Sequence, residues 1–308
     1  MNPSRRIVIT GATSFIGMEL TSALLAAGHN VVAVCRATSA GKLPEHPCLT
    51  VVEATMEDYG ALVQQIPAAD VFIHLAWKGT GHGGRDEQQL QQENVVCSLQ
   101  ALQAAHEMGC QLFVDAGSQA EYGIVETVIS ETTPCHPFSE YGKAKLRFME
   151  EASRCCQQWG MKYLHFRIFS LFGEDDHPWT LVMTCVQKML RHEAIDLSAC
   201  TQHWNFLYVK DAARQMSLLC DYALGSNSFS AETFNIASED TRVLRDFVLS
   251  MQRLTQSNSI LHFGAVAPAK VVTLQPEVSK TKAAIGFISS VSFEDVIRRI
   301  ILKYSNSK

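Results

Sequence analysis

No stretch of this 308-residue chain comes near the roughly 20 consecutive apolar residues that a membrane-spanning helix requires. No basic block stands out and the formal net charge is −5, so nothing points to nucleic acid. The ten cysteines form no Cys-x-x-Cys pair. Cys155 and Cys156 are adjacent, too close for an ordinary disulfide, and Cys35, Cys97, Cys110, Cys185 and Cys220 lie on apolar segments. Free thiols there pack as small hydrophobes, which implies a reduced compartment. No Cys/His set has zinc-ligand spacing, so no metal site is expected. Repeats and low-complexity tracts are absent too. The first residues, Met1-Asn2-Pro3-Ser4-Arg5-Arg6, lead into a strand without the apolar core of a secretion signal, and a cytoplasmic protein is expected.

What is present begins with a turn. The apolar run Ile7-Val8-Ile9 enters Thr10-Gly11-Ala12-Thr13-Ser14-Phe15-Ile16-Gly17, and an amphipathic segment over 15–27 leaves it. A buried strand, a glycine turn and a helix start in that order suit a dinucleotide. Gly11 takes the tight turn and Gly17 allows close helix–sheet packing. The free N–H groups of the helix N-terminus face a pyrophosphate, favoured by the helix dipole. Thr13, Ser14, Phe15 and Ile16 belong to this cradle, with Ser14 where a glycine is usual.

Strand and helix patterns then alternate. Short apolar strands are expected at 31–35, 49–52, 71–75, 112–114 and 163–168, with helices over 59–65, 86–108 and 139–159. This predicts an α/β fold, a doubly wound parallel Rossmann sheet. Past Phe169 the rhythm loosens. A dinucleotide-binding domain over 1–169 and a smaller interleaved substrate domain over 170–308 are expected, with 205–236 returning to the sheet. The four-glycine stretch over 78–84 reads as a mobile substrate lid carrying Lys78, His82 or Arg85, next to Trp77.

At the end of the second strand, where a carboxylate would bind the NAD ribose, stand Cys35 and Arg36. A guanidinium suits a 2′-phosphate, so NADP is the expected cofactor, with NAD as the alternative. Tyr141 and Lys145 share one helix face at i, i+4 spacing. An ammonium beside a phenol stabilises the phenolate and so equips it for proton exchange at a carbinol carbon. Ser118 directly follows the fifth strand, at the ligand-binding edge of such a sheet, placed to hydrogen-bond a reacting carbonyl.

Together these stretches resemble the extended short-chain dehydrogenase/reductases, in particular the NAD(P)-dependent sugar epimerase/dehydratase group. The resemblance runs along nearly the whole chain: the turn from Thr10 to Gly17, His74-Leu75-Ala76, Asn94-Val95, Ser118 with Tyr122-Gly123, Tyr141 and Lys145, Arg167…Phe172-Gly173, Tyr208-Val209-Lys210-Asp211-Ala212-Ala213 and Phe234-Asn235-Ile236. It implies a catalytic Ser118–Tyr141–Lys145 set. It also implies cofactor contacts at Leu75, Ala76 and Asn94, and a homodimer built on the helices over 86–108 and 139–159. Thr55 stands where the family often has an adenine-contacting aspartate, Ser170 where it has asparagine, and Trp204-Asn205 where Arg-Asp binds a substrate diphosphate. Arg191, His192 or His203 could supply the diphosphate donors and Trp204 could stack on a sugar or base, and Gln119 and Ser170 are the remaining candidates for substrate contact. The motif set most resembles reductases of nucleotide-diphosphate 4-keto sugars using NADPH. The alternatives are a 4-epimerase with retained NAD and, remotely, a cofactor-sensing regulator, a class that often lacks the tyrosine–lysine pair.

Overall fold

The computed structural model describes residues 3–81, 83–267, 270 and 272–305; His82 lies outside them. Seven parallel strands form the central sheet: β1 (Arg6–Thr10), β2 (Asn30–Cys35), β3 (Leu49–Glu53), β4 (Val71–His74), β5 (Leu112–Ser118), β6 (Lys162–Ile168) and β10 (Ala231–Ile236). Their order is β10-β6-β5-β4-β1-β2-β3. The chain reverses direction of growth between β1 and β4, and a crevice opens there beyond the strand ends.

Period-two alternation on these strands makes two cores. Ile7, Ile9, Val71, Ile73, Leu112 and Val114 face α1 (Phe15–Ala26) and α6 (Val209–Gly225). Val8, Phe72, Phe113 and Tyr163 face α3 (Gln88–Glu107) and α4 (Glu140–Trp159). The short α2 (Leu62–Gln65) packs against α3.

A third core holds Phe172, Phe206, Phe247 and Phe293 beneath α5 (Leu181–Met189), α7 (Leu244–Leu254) and α9 (Phe293–Ser305). Beside it β7 (Ser170–Phe172), β9 (His203–Tyr208) and β11 (Thr241–Val243) form a separate three-stranded sheet. β8 (Ile195–Leu197) pairs with β12 (Leu261–Phe263), and α8 (Ser279–Ile285) packs on α6. Of the stretch 205–236, only β10 joins the central sheet; β9 pairs with β7 and β11 instead. Among the described residues no helix is long and apolar enough to cross a membrane.

Helices α3 and α4 lie side by side. Val95, Leu102 and Phe148 turn into the chain's own core. Leu99, Leu146 and Met149 are only half-buried and Val96 is exposed, so an apolar strip remains on this outer surface.

Candidate active site

The crevice is a cleft of about 760 Å³. Gly11, Thr13, Ser14, Phe15, Ile16, Arg36, Leu75, Ala76, Trp77 and Lys78 all line it. The turn fits a phosphate cradle. Gly11 has φ +70°, and a Cβ there would stand 2.8 Å from Ala76 N. A Cβ on Gly17 would come within 2.2 Å of Gly11 O. Ser14 caps α1, its Oγ accepting from Gly17 N at 3.1 Å. The N–H groups of Phe15 and Ile16 belong to a first turn that has no intrahelical acceptor.

Arg36 also lines the cleft, joined by Lys42 and Ser39, which the sequence reading missed inside a presumed loop. A short 3₁₀ turn, Ala37–Lys42, brings them there. Ser39 Oγ accepts from Thr13 Oγ1 at 3.0 Å and donates to Arg36 O at 3.0 Å, tying the two loops together. Thr55 also lines the cleft, but its hydroxyl donates to Asp58 Oδ2 at 2.7 Å. Glu57, the one carboxylate among the lining residues, is paired with Lys78.

Tyr141 is buried in the first turn of α4, whose cap Ser139 Oγ accepts from Gly142 N at 3.1 Å. Burial raises the phenol above its ordinary value, opposed by a hydrogen bond with Ser118 and the charge of Arg85. The Arg85 guanidinium lies 4.3 Å from the Tyr141 ring centroid, and Tyr141 N donates to Arg85 O at 2.8 Å. Lys145, one turn on, is also buried. Its Nζ donates to Ala116 O at 2.6 Å and lies 3.6 Å from the Trp77 ring centroid. Burial brings its ammonium down to about 8, against the pull of Asp115 and Glu121. Ser118 ends β5, its Oγ accepting from Ala120 N at 3.2 Å.

Helix α3 holds backbone groups on both sides of the glycine-rich stretch. Asn94 does not line the cleft: its Oδ1 accepts from Lys78 N at 2.9 Å and its Nδ2 donates to Lys78 O at 2.8 Å. Gln91 Nε2 donates to Gly84 O at 2.7 Å, while its Oε1 accepts from Trp77 Nε1 at 2.8 Å. Both amides come from the buried face of α3, where they satisfy backbone groups of the loop.

The remaining candidates are less convergent. Gln119 and Ser170 are half-buried next to Ser118 and Leu171 respectively. Trp204 packs on Phe206, with ring centroids 6.4 Å apart, and borders the cluster of Tyr122 and Phe169. Asn205 is fully buried and is consumed by the backbone of 238–240, its Nδ2 donating to Ser238 O at 2.8 Å. Arg191 stands apart from the cleft, exposed, 3.8 Å from Glu193. It lines instead a separate cavity of about 200 Å³ with Gln187, Leu190 and Tyr304.

Comparison with known proteins bears on the family and the fold. The model of the NAD dependent epimerase/dehydratase family matches residues 7–237. The chain is 28% identical over 222 residues to dTDP-6-deoxy-L-talose 4-dehydrogenase (NAD(+)) of Aggregatibacter actinomycetemcomitans, covering 68% of this chain and 78% of that one. It is 23% identical to an uncharacterized UDP-glucose epimerase, YtcB, of Bacillus subtilis, over 94% of this chain and 95% of its relative. The fold is shared with UDP-glucuronic acid 4-epimerase from Bacillus cereus, solved with UDP-glucuronic acid and NAD. That match has TM-score 0.83 at 20% identity, covering 98% of this chain and 100% of the other.

Proposed function

The chain belongs to the NAD dependent epimerase/dehydratase family, and within it we propose that it reduces the carbonyl of a nucleotide-diphosphate 4-keto sugar with NADPH as cofactor. The observation that carries the reading is the pairing of two features. A buried Ser118–Tyr141–Lys145 set stands beside the cleft, its Lys145 ammonium 3.6 Å from the ring centroid of Trp77, a lining residue. Arg36 and Lys42 line the cleft itself, and Glu57, its one lining carboxylate, is already paired.

The nicotinamide cofactor, when bound, supplies the hydride. The chain's own residues handle the proton and the charge. Gly11 to Gly17 would hold the pyrophosphate, and Arg36 with Lys42 a 2′-phosphate. The Ser118 hydroxyl hydrogen-bonds the carbonyl oxygen, Tyr141 donates its phenolic proton to that oxygen, and the Lys145 ammonium stabilises the phenolate left behind.

A second reading, a 4-epimerase that retains NAD, draws support from the NAD in the Bacillus cereus structure. Fluorescence titration separates the two. NADPH is expected to bind ~10- to 100-fold more tightly than NADH, the equivalent of one or two charge-assisted hydrogen bonds. Arg36→Ala should remove most of that preference and leave NADH binding nearly unchanged. Protein that copurifies with stoichiometric, non-exchanging NAD would favour the epimerase. Unchanged discrimination in Arg36→Ala would return Arg36 to the surface.

A further inference from the structure

We propose that a buried chain of four ionised side chains, Asp115, His165, Glu121 and Arg167, sets the charge balance beneath Tyr141, with His165 as its central positioning residue. The strand register builds it. Thr10, His74, Asp115 and His165 are consecutive partners across β1, β4, β5 and β6. They form a polar row two residues beyond the apolar row Val8, Phe72, Phe113 and Tyr163, on the face that α4 covers.

Every link is a hydrogen bond. His165 Nδ1 lies 2.9 Å from Asp115 Oδ1, and its Nε2 lies 2.9 Å from Glu121 Oε2. Arg167 Nε donates to that same Glu121 oxygen at 2.9 Å, and Tyr163 OH donates to Asp115 Oδ1 at 2.7 Å. The four residues are at most 4% exposed. In such surroundings a charge is felt several ångströms away with little screening. An imidazole flanked by two carboxylates must donate from both nitrogens, so His165 is an imidazolium; its two partners hold it up at about 9 despite burial.

The chain touches the catalytic set at two points. Glu121 Oε1 accepts from Ser118 N at 2.7 Å, so the carboxylate that binds the imidazolium also orients the catalytic serine. Lys145 donates to Ala116 O, the residue after Asp115, and feels both carboxylates. Gly117 lies between, and a Cβ there would stand 2.2 Å from His165 Cε1.

The groups facing Tyr141 are Lys145 on its own helix, Ser118 and Glu121 from the end of β5, and Arg85 from the loop. His165 faces Asp115, Glu121, Tyr163 and Arg167. Arg167 also faces Tyr122 and Cys135. His74, beside Lys145, is neutral, held at about 3 by burial and that ammonium. Asp115 and Glu121 balance His165 and Arg167. Lys145 is then the excess positive charge of the buried set, and a Tyr141 phenolate neutralises it.

Charge substitutions of opposite sign within this chain should therefore move the Tyr141 phenol in opposite directions, which a purely structural network would not do. Asp115→Asn keeps the Oδ1 acceptor for Tyr163 and His165 and changes the oxygen Oδ2, which has no hydrogen-bond partner. Ultraviolet phenolate titration, taken as the difference between each protein and its Tyr141→Phe counterpart, isolates this one tyrosine. Asp115→Asn should lower its midpoint by about one pH unit and Arg167→Gln, which removes a cation that is still charged where the phenol titrates, should raise it by about the same amount, the usual effect of one nearby charge. Circular dichroism identifies the folded variants, and if Arg167→Gln does not fold, Asp115→Asn decides alone. Shifts in the same direction, or no shift in a folded variant, would overturn the proposal. It rests on Tyr141 as the proton-exchanging group, but the titration needs no substrate. Failure of that underlying reading shows separately, as a Tyr141→Phe enzyme that keeps its turnover.

Discussion

The Lys145 ammonium stands over the face of Trp77, 3.6 Å from the ring centroid, and 5.9 Å from the centroid of the Tyr141 ring. The indole is fixed in turn by its hydrogen bond to Gln91. A desolvated cation on an indole face gains roughly 1–2 kcal/mol. Trp77 thus favours the charged lysine against the burial that brings it down to about 8. Trp77→Leu is expected to let Lys145 lose its proton at lower pH. The alkaline limb of the kcat profile should move toward neutrality by about one unit. A profile superimposable on that of the parent enzyme would contradict this role.

Tyr141 must exchange a proton in each turnover. Tyr141→Phe should abolish kcat while cofactor binding, measured by fluorescence, survives. Ser118→Ala should cost on the order of 10²-fold in kcat, as expected for the loss of one hydrogen bond to the reacting oxygen. Near-normal turnover in Tyr141→Phe would remove this mechanism.

The buried charges also give stability a pH dependence. His165 is raised from 6.5 to about 9 in the fold. Its contribution is complete below about 6.5 and disappears as pH climbs through 9, a loss on the order of 3 kcal/mol. Lys145 acts in the opposite sense: its buried ammonium destabilises the fold at lower pH, and that penalty is relieved as pH rises from about 8 toward 10.5. The net decline is therefore confined to about pH 6.5–8. Asp115 and Glu121, both held below their ordinary values, stabilise the fold above the ordinary carboxylate range and lose that contribution on acidification. Urea midpoints should fall between pH 6.5 and 8 in the parent protein and stay flat in His165→Gln. Equal slopes in the two would refute this.

The strip of Val96, Leu99, Leu146 and Met149 on α3 and α4 is the surface through which a homodimer is expected. Val96→Glu should shift sedimentation equilibrium toward monomer without changing the circular dichroism spectrum. A parent chain that is monomeric at every concentration would exclude the dimer.

Much of this was legible in the chain. The glycine turn, the strand–helix alternation and the Tyr141–Lys145 spacing are local patterns, and each marks its element directly. What was hidden depends on register between distant segments. Asp115, Glu121, His165 and Arg167 meet only because β5 and β6 pair as they do. Lys42 reaches the cleft by a 3₁₀ turn inside a polar stretch that reads as loop. The pairing of β9 with β7 and β11 was equally invisible, because three-residue strands are too short to show a period. The loop over 78–84 reads as mobile from its glycines, and nothing local shows that Asn94 and Gln91, on the next helix, bind the backbone of Lys78 and Gly84.

One measurement tests the central claim most directly. The purified enzyme is incubated with a nucleotide-diphosphate 4-keto-6-deoxy sugar and NADPH carrying deuterium at the transferable position, and the sugar product is analysed by mass spectrometry. A reductase built on Tyr141 and Arg36 should place one deuterium at the former carbonyl carbon and consume one NADPH for each sugar reduced. An unlabelled product, formed without consumption of NADPH, would contradict the account.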